Sequence, residues 1–156
     1  MTDPRQLADA LAADPGAWSH LVDHDPDQRT YALLRDDDEA TAWVICWMDD
    51  HDTGWHDHDL SAGAVAVVAG RVVEERLRLN GRSPVRRAAR AGESFSFGPH
   101  DIHRVRHGGE GPAVTIHVYS PPLRRQGSYV EAPDGTLQRR VLTETEELRP
   151  QVATAA

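Results

Sequence analysis

The sequence predicts a mainly β fold, a small antiparallel barrel or sandwich with helices only at its N-terminal end. Three observations predict it. Short runs rich in Val, Ile, Thr and aromatic residues recur from residue 29 onward, punctuated by Gly, Pro, Asp and Asn. Helical periodicity is confined to residues 4–22. No internal repeat with a usable period interrupts the succession of strands. Helices first and many short strands after them suit a closed antiparallel architecture with an appendage.

The elements follow in order. Asp3 and Pro4 form an N-cap and first-turn pair. Leu7, Leu11, Trp18, Leu21 and Val22 lay an apolar stripe, which Asp14-Pro15-Gly16 interrupts, so two short helices are expected. After "DHDPDQ" the pattern changes to strands. "RTYALLR" (29–35) is the first, "DDDEA" is a turn, and "TAWVICWM" (41–48) reads as a buried strand. "WHDHDL", "GAVAVVAG" (63–70) and "RVVEERLRLN" (71–80) come next, and "NGRSP" supplies turn chemistry. "RRAARAGESFSFGP" holds a strand with Phe95 and Phe97 alternating, and "HRVRH" and "AVTIHVYSP" (113–121) are two more. "GSYVEAPDGTLQRRVLTETEEL" reads as a hairpin around "PDG", with a short helix at "TETEEL". One domain is expected over 1–156: about 1–25 as the helical appendage, 29–135 as the barrel, and about 140–156 as a weakly structured tail.

Composition excludes several function classes. The formal charge of -8 argues against nucleic acid as a partner, and the Arg clusters near 82–90 and 124–125 are short and interrupted. No stretch is long and apolar enough for a transmembrane helix, and the N-terminus lacks the basic and apolar regions of a signal peptide. A lone cysteine, Cys46, rules out an intrachain disulfide and fits a reducing compartment. A cytoplasmic protein with no membrane partner is expected.

The chemistry concentrates in histidines. His56 and His58 stand at i and i+2, so on a strand they share a face and aim two imidazoles at one point. His103 follows in "GPHDIHRV". Neutral imidazole is the commonest ligand for Zn, Fe, Cu and Ni, and three of them with positions left open make a catalytic site. Asp57 and Asp59 are the rival ligands. Their strand parity puts them on the opposite face, as supporting or surface groups.

This spacing resembles the two cupin motifs. In the first, Gly63 stands where the usual Glu ligand would be and Gly70 follows; the second runs from Gly92 through "GPHDIH", with His103 at the ligand position and His107 in place of the usual Asn. A cupin with three histidines and no carboxylate is similar to the cysteine dioxygenase family. "TGWHDHDLSAGAVAVVAG", "GPHDIHRV" and "TIHVYSPP" carry that resemblance, over Cys46 to Pro122. It implies a small cupin β-barrel, an antiparallel jelly-roll, with N-terminal helices. It implies Fe(2+) held by His56, His58 and His103, and a small thiol and O2 as substrates, both oxygen atoms going to sulfur to give a sulfinate. It also implies a supporting triad of Thr115, His117 and Tyr119 on one strand face, and a cis bond at Ser120-Pro121.

The departures from the family bear on substrate. Gly63 stands where mammalian members carry a cysteine that crosslinks to the tyrosine, so Tyr119 is expected as a plain phenol, with the glycine leaving room beside it. Cys46 reads as a core thiol. Cysteine-specific members hold the substrate carboxylate with an Arg on the first strand, and members acting on 3-mercaptopropionate use a Gln. Alignment on Leu33-Leu34 puts Tyr31 at that position, with Arg29 and Arg35 at the same parity. Arg29, Tyr31 and Trp47 are the candidate substrate-binding residues, Arg29 foremost for the carboxylate. L-cysteine is the expected substrate. The alternatives are another small thiol, a cupin enzyme using Zn, Ni or Mn, and a non-enzymatic cupin sensor. The roles of His100 and His107, and the oligomeric state, stay open.

Overall fold

A computed structural model of the chain describes residues 2–109 and 111–143. Helix α1 spans Pro4–Ala12, and the Asp3 carboxylate caps it by accepting from the Arg5 and Gln6 backbone N–H groups. A short α2 (Pro15–Trp18) and one 3₁₀ turn (Ser19–Leu21) follow, so the break at Asp14-Pro15-Gly16 falls as expected. Eleven strands come next among the described residues: β1 Thr30–Asp36, β2 Thr41–Trp47, β3 His56–Asp57, β4 Ala62–Ala69, β5 Arg71–Arg76 and β6 Val85–Arg90. The rest are β7 Ser94–Phe97, β8 His103–His107, β9 Ala113–Ser120, β10 Arg125–Glu131 and β11 Leu137–Thr143.

The strands form two antiparallel sheets, in the orders β1-β2-β9-β4-β7 and β11-β10-β3-β8-β5-β6. The β10–β11 hairpin turns at Gly135, whose φ of +85 a side chain would resist, as the "PDG" motif predicts. Strand β11 runs to Thr143, so ordered pairing extends past residue 140, where a weak tail was expected; the rest of the proposed "TETEEL" helix, from residue 144, lies outside the described residues. Among the described residues no helix is long and apolar enough to cross a membrane.

The three central strands of the first sheet are buried on both faces, which is why β2, β4 and β9 read as nearly continuous apolar runs. Alternate residues serve different layers. Val65 and Val67 of β4 face the barrel interior with Ile45, Phe95 and Val105. Ala64 and Ala66 face outward, with Ile116 and Val118 of β9, and pack against Ala8, Leu7 and Leu11 of α1. Small side chains on that outer face let the helix lie close. The same alternation on β9 turns Thr115, His117 and Tyr119 into the barrel, where they are 0%, 4% and 2% exposed. A solvent-facing polar strand is thereby excluded for this segment.

Candidate metal centre

His56 and His58 flank Asp57 at the short β3, and His103 opens β8 directly opposite His56 in the ladder. The three rings are buried, with centroids 4.7–4.9 Å apart, and offer nitrogens within 4.8 Å of one another. Asp57 and Asp59 are not part of this cluster.

Each imidazole is prepared differently. His56 donates from Nδ1 to the Gly54 carbonyl at 2.9 Å, and His103 donates from Nδ1 to Glu74 Oε2 at 2.7 Å. Both bonds fix the tautomer that leaves Nε2 as a lone-pair donor. His58 is buried with neither ring nitrogen bonded to any described residue. A buried orphan of this kind asks for a partner. Burial pushes His56 down to about 4, against the Gly54 hydrogen bond, and burial with neighbouring imidazoles holds His58 and His103 well below the usual range. All three are neutral near pH 7, the protonation state that a metal requires. The set fits a metal ion with three nitrogen ligands and open positions.

Glu74, which sequence reasoning missed, is the carboxylate behind His103. It is 2% exposed, and Arg76 and Arg87 lie at 3.1 and 3.4 Å. Burial raises its pKa, which the Arg76 charge opposes. Its signal in the sequence was parity: it shares the inward face of β5 with Val72, an acidic residue where an apolar one is expected. Glu74→Gln keeps the shape and one acceptor but removes the charge. Metal affinity should fall about tenfold or more in competition with a chelator, while folding is retained. Unchanged affinity would make Glu74 a structural residue only.

Thr115, His117 and Tyr119 form a directed chain. Trp47 Nε1 can only donate, and it gives its N–H to Thr115 Oγ1 at 2.8 Å. The threonine hydroxyl lies 2.8 Å from His117 Nε2 but 3.5 Å from the Ile45 carbonyl, so it donates to the imidazole. Nδ1 of His117 then carries the hydrogen and faces the Tyr119 oxygen at 3.4 Å. Burial, with the Arg29 charge adding to it, lowers His117 to about 3, so this ring too is neutral. The Ser120-Pro121 bond beyond Tyr119 is cis.

A narrow cavity joins these parts. His56, His103, His117 and Tyr119 line it with Arg29, Thr53 and Gln126; Ile45 and Val105 supply apolar wall. About 270 Å³ is empty, open solvent included, so only a small ligand suits it. Arg29 is 4% exposed and lies over the Trp47 ring at 5.3 Å. The other substrate candidates sit elsewhere. Tyr31 is half-buried edge-on against Trp43, Trp47 is fully buried core behind Arg29 and Thr115, and Arg35 pairs with Asp37 and Glu39 at the β1–β2 turn. A register shift between Leu33 and Arg35 breaks the parity that linked Arg35 to Arg29. His107 bonds the Gly111 carbonyl and faces Asp49, away from the cluster, and His100 is an exposed turn residue.

The space beside Gly63 is not open. Gly63 is paired with Tyr119 on one side and Phe97 on the other, and a Cβ there would meet Phe97 Cζ at 2.5 Å and the Val118 carbonyl at 2.9 Å. The Phe97 ring fills the room that the glycine was expected to leave, and it stacks on His58 at 4.4 Å. Asp57 turns outward from the ligands, accepting from Tyr129 at 2.6 Å, Arg139 at 2.9 and 3.0 Å and the Gly127 N–H at 3.0 Å. Burial works to raise its pKa, but these hydrogen bonds outweigh it and hold the carboxyl well below the ordinary range. A larger open groove, about 1420 Å³ of empty space with open solvent again included, lies between α1–α2 and the outer face of β4 and contains none of these groups.

Comparison with known proteins bears on the fold and the family. Among solved structures the chain is similar to a conserved Klebsiella pneumoniae protein with a double-stranded beta-helix domain (TM-score 0.59, 13% identity, 81% of this chain and 88% of that one). It is also similar to a cupin superfamily protein from Desulfitobacterium hafniense DCB-2 (TM-score 0.55, 12% identity, 67% and 87%). At these identities the likeness concerns the fold, a cupin barrel. Cysteine dioxygenase type 1 of Danio rerio is 24% identical over 132 residues, 77% of this chain and 65% of that protein. The Homo sapiens protein is 24% identical over 128 residues, 75% and 63%. The chain thus spans a little under two thirds of the length of these relatives. The family described as Cysteine dioxygenase type I matches residues 3–132, and the chain belongs to that family.

Proposed function

We propose that the protein is an Fe(II)-dependent thiol dioxygenase that converts L-cysteine to cysteine sulfinic acid in the cytoplasm. One observation carries the reading: three neutral, buried imidazoles converge on one point, two of them lining a cavity that also holds a buried guanidinium and a phenol at the end of a hydrogen-bond chain. Held by His56, His58 and His103, ferrous iron would supply thiolate binding and the activation of O2. The chain's own residues do the rest. Arg29, buried and cationic, holds the substrate carboxylate and so sets the position of the sulfur. The chain from Trp47 through Thr115 and His117 fixes the Tyr119 oxygen as an acceptor from His117, which turns the phenol O–H toward the substrate or the oxygen being transferred. Ile45 and Val105 keep bulk water from the reacting atoms. Sulfur is oxidised from thiol to sulfinate, and O2 is consumed whole.

The test is O2 uptake by the Fe(II)-loaded protein with cysteine, 3-mercaptopropionate, cysteamine and mercaptosuccinate. Uptake matched by sulfinate from cysteine is expected. No uptake above free iron with any thiol would sink the dioxygenase reading and favour a ligand-binding cupin. Much faster oxidation of 3-mercaptopropionate would replace the substrate and leave the reaction class. The Arg29 role has its own signature. Arg29→Ala should raise KM for cysteine about ten- to a hundredfold, the worth of one charge-assisted hydrogen bond, and leave cysteamine, which has no carboxylate, nearly unchanged. Equal effects on both thiols would make Arg29 structural.

A further inference from the structure

Gln126 lines the cavity but has no role in the reaction described so far. It sits on β10, the strand that pairs with β3 at Ser128 opposite His56, and at the same parity as Ser128. Its side chain is 2% exposed and lines the metal cavity with Arg29, Tyr119 and His56. Its Oε1 is buried and accepts no hydrogen bond from any described residue. A buried carbonyl oxygen left unpaired is costly, and polar groups in such places have partners when the site is in use.

Thr53, His56 and His103, which line the same cavity, do not supply that partner. Thr53 donates to the Gly54 carbonyl and accepts from the Val105 N–H. The other ring nitrogens of His56 and His103 are engaged outside the cavity, with Gly54 and Glu74. The cavity therefore presents a guanidinium that suits an anion and a separate oxygen that suits an N–H or O–H donor. A thiol carrying a carboxylate alone answers one of these demands. A thiol carrying both a carboxylate and an amine answers both.

We propose that Gln126 is a specificity-determining residue whose Oε1 accepts a hydrogen bond from the amine of an amino-acid thiol, selecting it over thiols that carry only a carboxylate. The proposal rests on the thiol dioxygenase reading. Cysteine and 3-mercaptopropionate are its probes, because they share thiol, chain length and carboxylate and differ by the amine alone.

The experiment compares Gln126→Met and Gln126→Glu with the wild type. Anaerobic binding of each thiol to Fe(II)-loaded protein is measured alongside KM and kcat, with melting temperature as the fold control. Gln126→Met is close in shape and removes the acceptor. It should weaken cysteine binding about tenfold and leave 3-mercaptopropionate binding unchanged or tighter. Gln126→Glu keeps an acceptor oxygen. Its added charge acts on the shared carboxylate of both probes, so the cysteine preference should survive even if both bind less well. Equal weakening of both thiols in Gln126→Met overturns the proposal, and loss of the preference in Gln126→Glu overturns it even if the Met variant fails to fold. A wild type that neither binds nor oxidises either thiol overturns the dioxygenase reading, and this proposal with it.

Discussion

Replacing His56 by alanine should abolish metal retention, taking the purified protein from about one ion per chain to none by elemental analysis. Three rings share one point because β3 presents His56, the residue just past its end is His58, and the ladder partner β8 presents His103. Removing His56 leaves His58 and His103, and two neutral nitrogens do not make a facial set. Asp57 cannot step in, since Tyr129, Arg139 and the Gly127 backbone hold its carboxylate outward. The fold should persist, because the His56 side chain makes a single hydrogen bond among the described residues, to the Gly54 carbonyl two residues away, and alanine keeps the backbone pairing. Wild-type protein should melt at higher temperature with metal than after chelation, by mass action, and the variant should not respond. A variant that keeps a stoichiometric ion would mean that the site is elsewhere or that another side chain completes it.

Gly63→Cys should destabilise the protein by about 3 kcal/mol, at the upper end of the usual cost of overpacking a core. The position invites the substitution, since mammalian family members carry a crosslinking cysteine there and Gly63 is the direct ladder partner of Tyr119. Phe97 is what forbids it. Its ring lies over Gly63 from the other side and packs against His58 and His103, both at 4.4 Å between centroids. A new Sγ must displace that ring, and the ring must then disturb two metal ligands. The expected result is a lower melting temperature, weaker metal retention and an intact mass without the loss of two hydrogens that a thioether would bring. Gly63→Cys with Phe97→Leu should recover much of the stability. A stable single variant that crosslinks to Tyr119 would show that Phe97 yields easily.

The parts of the site legible in the sequence are those set by local spacing along extended backbone. His56 and His58 at i and i+2, and Thr115, His117 and Tyr119 at i, i+2 and i+4, needed only the strand period and the motif context. The barrel and its helical appendage followed from where helical periodicity ends. What was hidden depends on pairing between distant strands. Glu74 reaches His103 only because β5 lies beside β8, and Gln126 enters the cavity only because β10 lies beside β3. Neither register can be read from local pattern. The choice among Arg29, Tyr31 and Arg35 was undecidable for a different reason: the irregularity between Leu33 and Arg35 interrupts the alternation on which the choice depended. Phe97 was visible as an alternating aromatic, but its place over Gly63 is a property of the sheet order β9-β4-β7.

The most direct measurement is the fate of labelled oxygen. Fe(II)-loaded protein turning over L-cysteine under ¹⁸O₂ in ordinary water should give cysteine sulfinic acid with label in both sulfinate oxygens. Label in only one oxygen, label lost to solvent, or disulfide and peroxide in place of sulfinate would contradict a thiol dioxygenase built on His56, His58 and His103.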